Sequence, residues 1–106
     1  MKKGYWLGQV IEVKNLEKWT KYVEKYLALA EEESEKNTGN FKTISMGIPV
    51  KMIQGKELMF AAVVEFNSLK DALDCYHGDK YQEALKELGE NPEETVIRNL
   101  AIIEEN

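Results

Sequence analysis

The sequence predicts an α+β fold in which helices cover one face of an antiparallel sheet. Two apolar patterns alternate along the chain: dense β-branched and aromatic runs at 4–13, 58–66 and 96–103, and stripes at spacings of three and four after residues 15 and 68. With a weaker strand at 41–50, the order becomes β-α-β-β-α-β, the split arrangement of ferredoxin-like folds. The first and third strands are also apolar on both faces, although the helices can cover only one. A second copy of the chain is the simplest cover for the other, so a homodimer joined through the helix-free face is expected.

Residues 4–13 place Tyr5, Leu7, Ile11 and Val13 at one parity and Trp6, Gly8 and Val10 at the other. Asn15 is a helix N-cap, because its side chain can accept a backbone N–H that has no partner inside the helix. Leu16, Trp19, Tyr22, Val23, Tyr26, Leu27 and Ala30 then form one stripe, with Glu17 and Lys21 paired outside it. The stripe fades through the glutamates at 31–35, and Asn37-Thr38-Gly39 is a stop signal. Gly47 and Pro49 mark 41–50 as an irregular or edge strand, since proline cannot donate to a central ladder. Gln54-Gly55-Lys56 is a turn, and the run at 58–66 is broken only by Glu65. Ser68 and Asp71 have the spacing of a capping box ahead of Leu69, Ala72, Leu73 and Tyr76. His77-Gly78 interrupts that helix, Asp79 with Gln82 offers a second capping box, and Tyr81, Ala84, Leu85 and Leu88 lead to a stop at Gly89. Asn91-Pro92 is a loop before the last strand.

At 106 residues, the chain is expected to be a single domain spanning 1–106. A hydrophobic share of 43% argues against general disorder. No apolar run approaches the ~18 residues of a spanning helix, and Met1-Lys2-Lys3 leads into no apolar leader, so a cytoplasmic protein off the membrane is expected. Fourteen Lys+Arg against nineteen Asp+Glu give a net charge of -5, the wrong sign for neutralising nucleic-acid phosphates. All of the imbalance falls in residues 79–106, a solvated acidic end. One Cys and one His exclude Cys- or His-rich metal sites, and no glycine-rich phosphate loop follows a strand, so neither metal nor cofactor is expected.

Few residues are left to carry chemistry. His77 is the one side chain that ordinarily titrates near neutrality, and it sits at a helix break flanked by Tyr76 and Tyr81. It reads either as a catalytic or hydrogen-bonding group at a cleft mouth, with the two tyrosines as ligand contacts, or as a surface histidine in a turn. Glu65 is an acid in an apolar strand, either an acid-base group in the cleft or a strand-end carboxylate paired with Arg98. Cys75 lies two residues from His77, on another helical face, and reads as a half-buried packing residue. Tyr5, Trp6, Tyr22 and Tyr26 either line a pocket for an aromatic ligand or belong to the core.

These residues also carry a family resemblance. Lys3-Gly4-Tyr5-Trp6 at the first strand, Val64-Glu65-Phe66, Ser68, Ala72, Cys75-Tyr76-His77 and Tyr81-Gln82-Glu83-Ala84 through the centre, and Ile102-Ile103-Glu104 at the end resemble the signature of domain-of-unknown-function family thirteen-thirty. The resemblance implies membership of the dimeric α+β-barrel superfamily, whose sheets pack face to face and which includes cofactor-independent monooxygenases and muconolactone isomerases. The chain departs from the family at Gly78-Asp79, where Ser-Pro is common, and at Ser45-Met46-Gly47, where many members have Arg-Gly-Gly. Many also have histidine where this chain has Gln9, which makes Gln9 a candidate ligand contact and implies a different ligand or none. Two functions follow as expectations. One is binding of a small hydrophobic or aromatic compound in a cleft between sheet and helices; the other is a monooxygenase- or isomerase-like enzyme using His77 and the nearby tyrosines.

Overall fold

The computed structural model describes residues 1–106 and turns the two apolar patterns into a sheet and a helical layer. Its elements are β1 (Gly4–Val13), α1 (Leu16–Glu35), β2 (Lys42–Gly47), β3 (Phe60–Phe66), α2 (Leu69–His77), α3 (Asp79–Lys86), a 3-10 turn (Pro92–Glu94) and β4 (Val96–Glu104). The strands run antiparallel in the order β2-β3-β1-β4, which puts the two most apolar strands at the centre. This is the expected α+β, ferredoxin-like arrangement. No helix is long and apolar enough to cross a membrane.

Register sets which side chain meets the helices. Gly4, Trp6, Gly8 and Val10 of β1 pair with Phe66, Val64, Ala62 and Phe60 of β3, and all of these face the helical layer. A bulge between Val10 and Glu12 in the β1–β4 pairing inserts one residue, so Val13 and Val96 turn back to the same side. Twelve buried residues form the core between the layers, with Trp6, Phe66, Tyr81 and Leu88 among the least exposed. Gly4 is required by proximity: a Cβ there would lie 2.7 Å from the Ser68 carbonyl oxygen and 2.8 Å from the Leu69 Cα.

The N-caps act as expected at two helices and not at the third. Asn15 accepts from the Lys18 N–H, and Ser68 accepts from the Asp71 N–H. At α3 the N-cap is Gly78, with no side-chain cap bond, so the expected Asp79–Gln82 box does not form. Gln82 instead donates to the Tyr76 carbonyl at 2.7 Å and ties α3 back onto the end of α2. The strand expected over 41–50 covers only Lys42–Gly47. Phe41, at φ 57, takes a left-handed turn that drives its ring between Trp6, Tyr26 and Phe66. Beyond β2, Ile48, Val50 and Ile53 stand exposed at 77%, 103% and 82%.

Candidate functional site

Packing fills the cleft that the sequence suggested between sheet and helices. Trp6 points from β1 into the helical layer, donates its indole N–H to the Ala72 carbonyl at 3.0 Å, and meets the rings of Tyr81 at 4.8 Å, Phe66 at 5.1 Å and Phe41 at 5.4 Å. Aromatic residues that close-pack in this way leave no room for a ligand at that point. The open grooves are elsewhere. One of about 400 Å³ runs between α1 and α3, lined by Lys25, Glu32, Lys80 and Glu83 among others, and a second of about 440 Å³ borders Glu33, Asp71, Asp74 and Cys75. Both are charged rim features, and neither is lined by any of the six predicted site residues.

Those six residues separate into two groups, with the sheet between them. On the helix-free face, Tyr5 stands opposite Glu65 across the β1–β3 pairing, its hydroxyl 3.5 Å from the carboxylate. Lys3 Nζ lies 3.2 Å from the same carboxylate, whose side chain is 13% exposed, and that bond holds the Lys3 pKa above its ordinary value. Gln9 accepts from Asn99 on this face at 3.3 Å. Glu65 therefore has Lys3 as its partner and not Arg98, because Arg98 pairs with the inward-facing Val10 and so lies on the other side of the sheet.

His77, Tyr76 and Tyr81 lie in or beside the helical layer. His77 ends α2 in an exposed position, its ring edge-on to Tyr76 at 5.1 Å. Tyr76 is half-buried and packs on Trp6 and Tyr81. Cys75 is half-buried beside them, and burial pushes its thiol up to about 12, which suppresses the thiolate a nucleophile would need. No group of three or more His, Cys, Asp or Glu side chains comes together in a way that could hold a metal ion.

The helical layer also contains a polar chain. Tyr81 is buried on α3, and its hydroxyl is 2.8 Å from that of Tyr22, which is buried on α1. Tyr22 oxygen in turn accepts from Arg98 Nη1 at 3.0 Å. The Arg98 guanidinium carbon lies 4.8 Å from the Tyr22 ring centroid and 5.9 Å from that of Trp19, and Trp19 itself stacks on Tyr22 at 5.0 Å. Burial raises the pKa of Tyr81, and raises that of nearby Tyr26 to about 12, so both phenols stay protonated. Burial opposes the charge on Arg98, but the oxygens of Tyr22 and Tyr81 outweigh it and hold the guanidinium above its ordinary value. The sequence named Tyr22 only as a pocket-or-core residue and Arg98 only as a partner for Glu65, and it did not bring the two together. The signal was the parity of the last strand: Arg98 shares a face with Leu100 and Ile102, which places a charge in core register.

The comparisons with known proteins support the fold and the family. RPA0582 of Rhodopseudomonas palustris, in its methylated form, is 14% identical with a TM-score of 0.65, over 99% of this chain and 82% of that one. A dimeric protein of unknown function and ferredoxin-like fold from Bacteroides fragilis is 20% identical with a TM-score of 0.56, covering 96% of this chain and 95% of that one. A protein from Caulobacter crescentus, provisionally named an antibiotic biosynthesis monooxygenase, is 12% identical with a TM-score of 0.57, covering 96% and 87%. Among curated proteins, none matches the chain in sequence. The model of the family described as Domain of unknown function (DUF1330) matches residues 3–105, and the chain belongs to that family.

Proposed function

We propose that the chain is a homodimeric binding module for a small hydrophobic or aromatic compound, with its two sheets packed through their helix-free faces and the ligand seated at the Trp19–Tyr22–Arg98 end of the helical layer. One observation carries this reading: the central strands present apolar side chains to both faces, and the chain's own helices cover only one. Leu7, Val63, Ala101 and Ile103 lie in register across the uncovered face. The accessible surface is 7183 Å², against about 6,100 Å² for a compact monomer of this mass. That surplus of about 1,100 Å² exceeds the ~800 Å² each partner contributes to a standard interface. The ferredoxin-like neighbour from Bacteroides fragilis is itself dimeric, which supports a dimer here. The lone free cysteine suits the reducing cytoplasm.

For the ligand, support comes from the side chains around Arg98, where polar groups converge against aromatic rings at the edge of the core. Trp19 is half-buried there and reports on its surroundings, so a panel of small aromatic compounds can be screened by indole fluorescence and by the Trp19 indole N–H signal in NMR. Saturable shifts at Trp19 are expected. If no member of the panel perturbs it at millimolar concentration, the binding reading fails.

A second reading, a cofactor-independent enzyme with His77 as its acid-base group, is favoured by the ring contact of His77 with Tyr76, which leads through Tyr81 to Tyr22. Its test is turnover: once a ligand is known, His77→Ala would abolish its conversion and leave its affinity unchanged.

A further inference from the structure

Arg98 is the only arginine in the chain. All seven ion pairs use lysine, and no carboxylate lies within ion-pair distance of Arg98 although the chain carries nineteen acids. A half-buried cation is ordinarily kept beside an acid, because its desolvation is otherwise offset only by dipoles and aromatic faces. Here it is held by the Tyr22 hydroxyl and the rings of Tyr22 and Trp19.

That arrangement leaves donors free. A guanidinium has five N–H groups, and Arg98 is seen to spend one, at Nη1, on Tyr22. No buried side-chain nitrogen or oxygen in the chain lacks a hydrogen-bond partner, so the Arg98 nitrogens without one reach solvent. A planar fork held against the Tyr22 ring, with unspent N–H groups that reach solvent, matches the two oxygens of a carboxylate. Apolar surface lies on the same helix: Trp19 is half-buried, and Leu16, one turn before it, is 70% exposed.

We propose that Arg98, positioned by Tyr22, is the anion-binding group of this site and that its ligand is a small carboxylate whose aromatic or aliphatic body lies against Trp19. This deepens the binding reading above and rests on it. Arg98 stays charged throughout the accessible pH range, so affinity should follow ionisation of the ligand and fall as pH drops through the ligand's own pKa, about 4 for a carboxylic acid.

Benzoate and benzamide, matched in shape but not in charge, provide the test, read by Trp19 fluorescence and NMR shifts. The wild type is expected to bind benzoate at least about tenfold more tightly than benzamide, since charge-assisted bonds are roughly twice as strong as neutral ones. Arg98→Met should bring the ratio to about one, and Arg98→Lys should restore only part of it, because lysine keeps the charge without the fork. Circular dichroism melting establishes that each variant is folded, and Tyr22→Phe, which keeps the ring, serves as a second variant and should lower the ratio without abolishing it. Equal affinity for both compounds in the wild type overturns the carboxylate proposal and leaves the binding reading standing. An unchanged ratio in folded Arg98→Met makes Arg98 a packing residue and also overturns it. If neither compound perturbs Trp19 while another member of the panel does, the carboxylate proposal falls and the binding reading stands; if no member does, both fall.

Discussion

The two faces of one sheet are built from alternate residues of the same strands, yet they end in different states. Trp6 and Tyr5 are neighbours in β1; the first is 2% exposed and surrounded by four aromatic rings, while the second is half-buried beside Glu65 and Lys3. The inner face is close-packed, and its fully buried side-chain polar atoms are bonded within the chain. The outer face keeps Leu7, Val63 and Ile103 in contact with water. The difference separates what stabilises the folded chain from what remains for a partner. The inner face supplies stability at any concentration, and in the proposed dimer the outer face adds to it by mass action.

Truncating each neighbour sharpens the contrast. Trp6→Ala removes the centre of the core and its bond to Ala72, and should cost about 3–5 kcal/mol in urea unfolding at any protein concentration. Tyr5→Ala should cost little in dilute solution and progressively more as concentration rises. Equal, concentration-independent costs would erase the distinction between the faces. The inner polar chain comes next in size: Tyr81→Phe strips the hydroxyl from Tyr22's buried neighbour and should cost about 1–3 kcal/mol, as expected when a buried group loses its partner.

Alkaline pH acts chiefly on the inner layer, where the large shifts lie. The Cys75 and Tyr26 values, ordinarily 9.0 and 10.0, are both raised to about 12 by burial. A group whose folded value is raised gives its stability in full below the unfolded value and loses it as pH rises towards the folded one. Unfolding midpoints should therefore hold up to about pH 9 and fall from there towards 12, and Cys75 should resist alkylation at pH 8 until the chain unfolds. Rapid labelling of the native thiol at pH 8 would contradict the packing described. The smallest effect belongs to His77, which is exposed at the end of α2: His77→Ala should cost less than ~1 kcal/mol.

The fold was largely legible because periodicity reports burial directly. The stripe from Trp19 to Ala30, the cap at Asn15 and the alternation of residues 4–13 each point to one structure. The site was less legible because its residues come from three separate elements. Glu65 and Arg98 are both charges in apolar strands, and only strand register tells that they face opposite ways. The pairing of Tyr22 with Tyr81 joins α1 to α3 across 59 residues, which no local pattern announces. Asp79 met the spacing for a cap, yet Gln82 made a longer-range bond to Tyr76 instead, so the local signal lost to tertiary packing.

In the proposed dimer a second chain covers the helix-free face. Sedimentation velocity at micromolar concentration, run on the wild type and on Val63→Asp, tests it most directly, because Val63 stands opposite Leu7 at the middle of that face. The wild type should sediment as a species of twice the 12.2 kDa chain mass, and the variant as a folded monomer. A wild type that stays at 12.2 kDa, or a Val63→Asp variant that still dimerises, would contradict it.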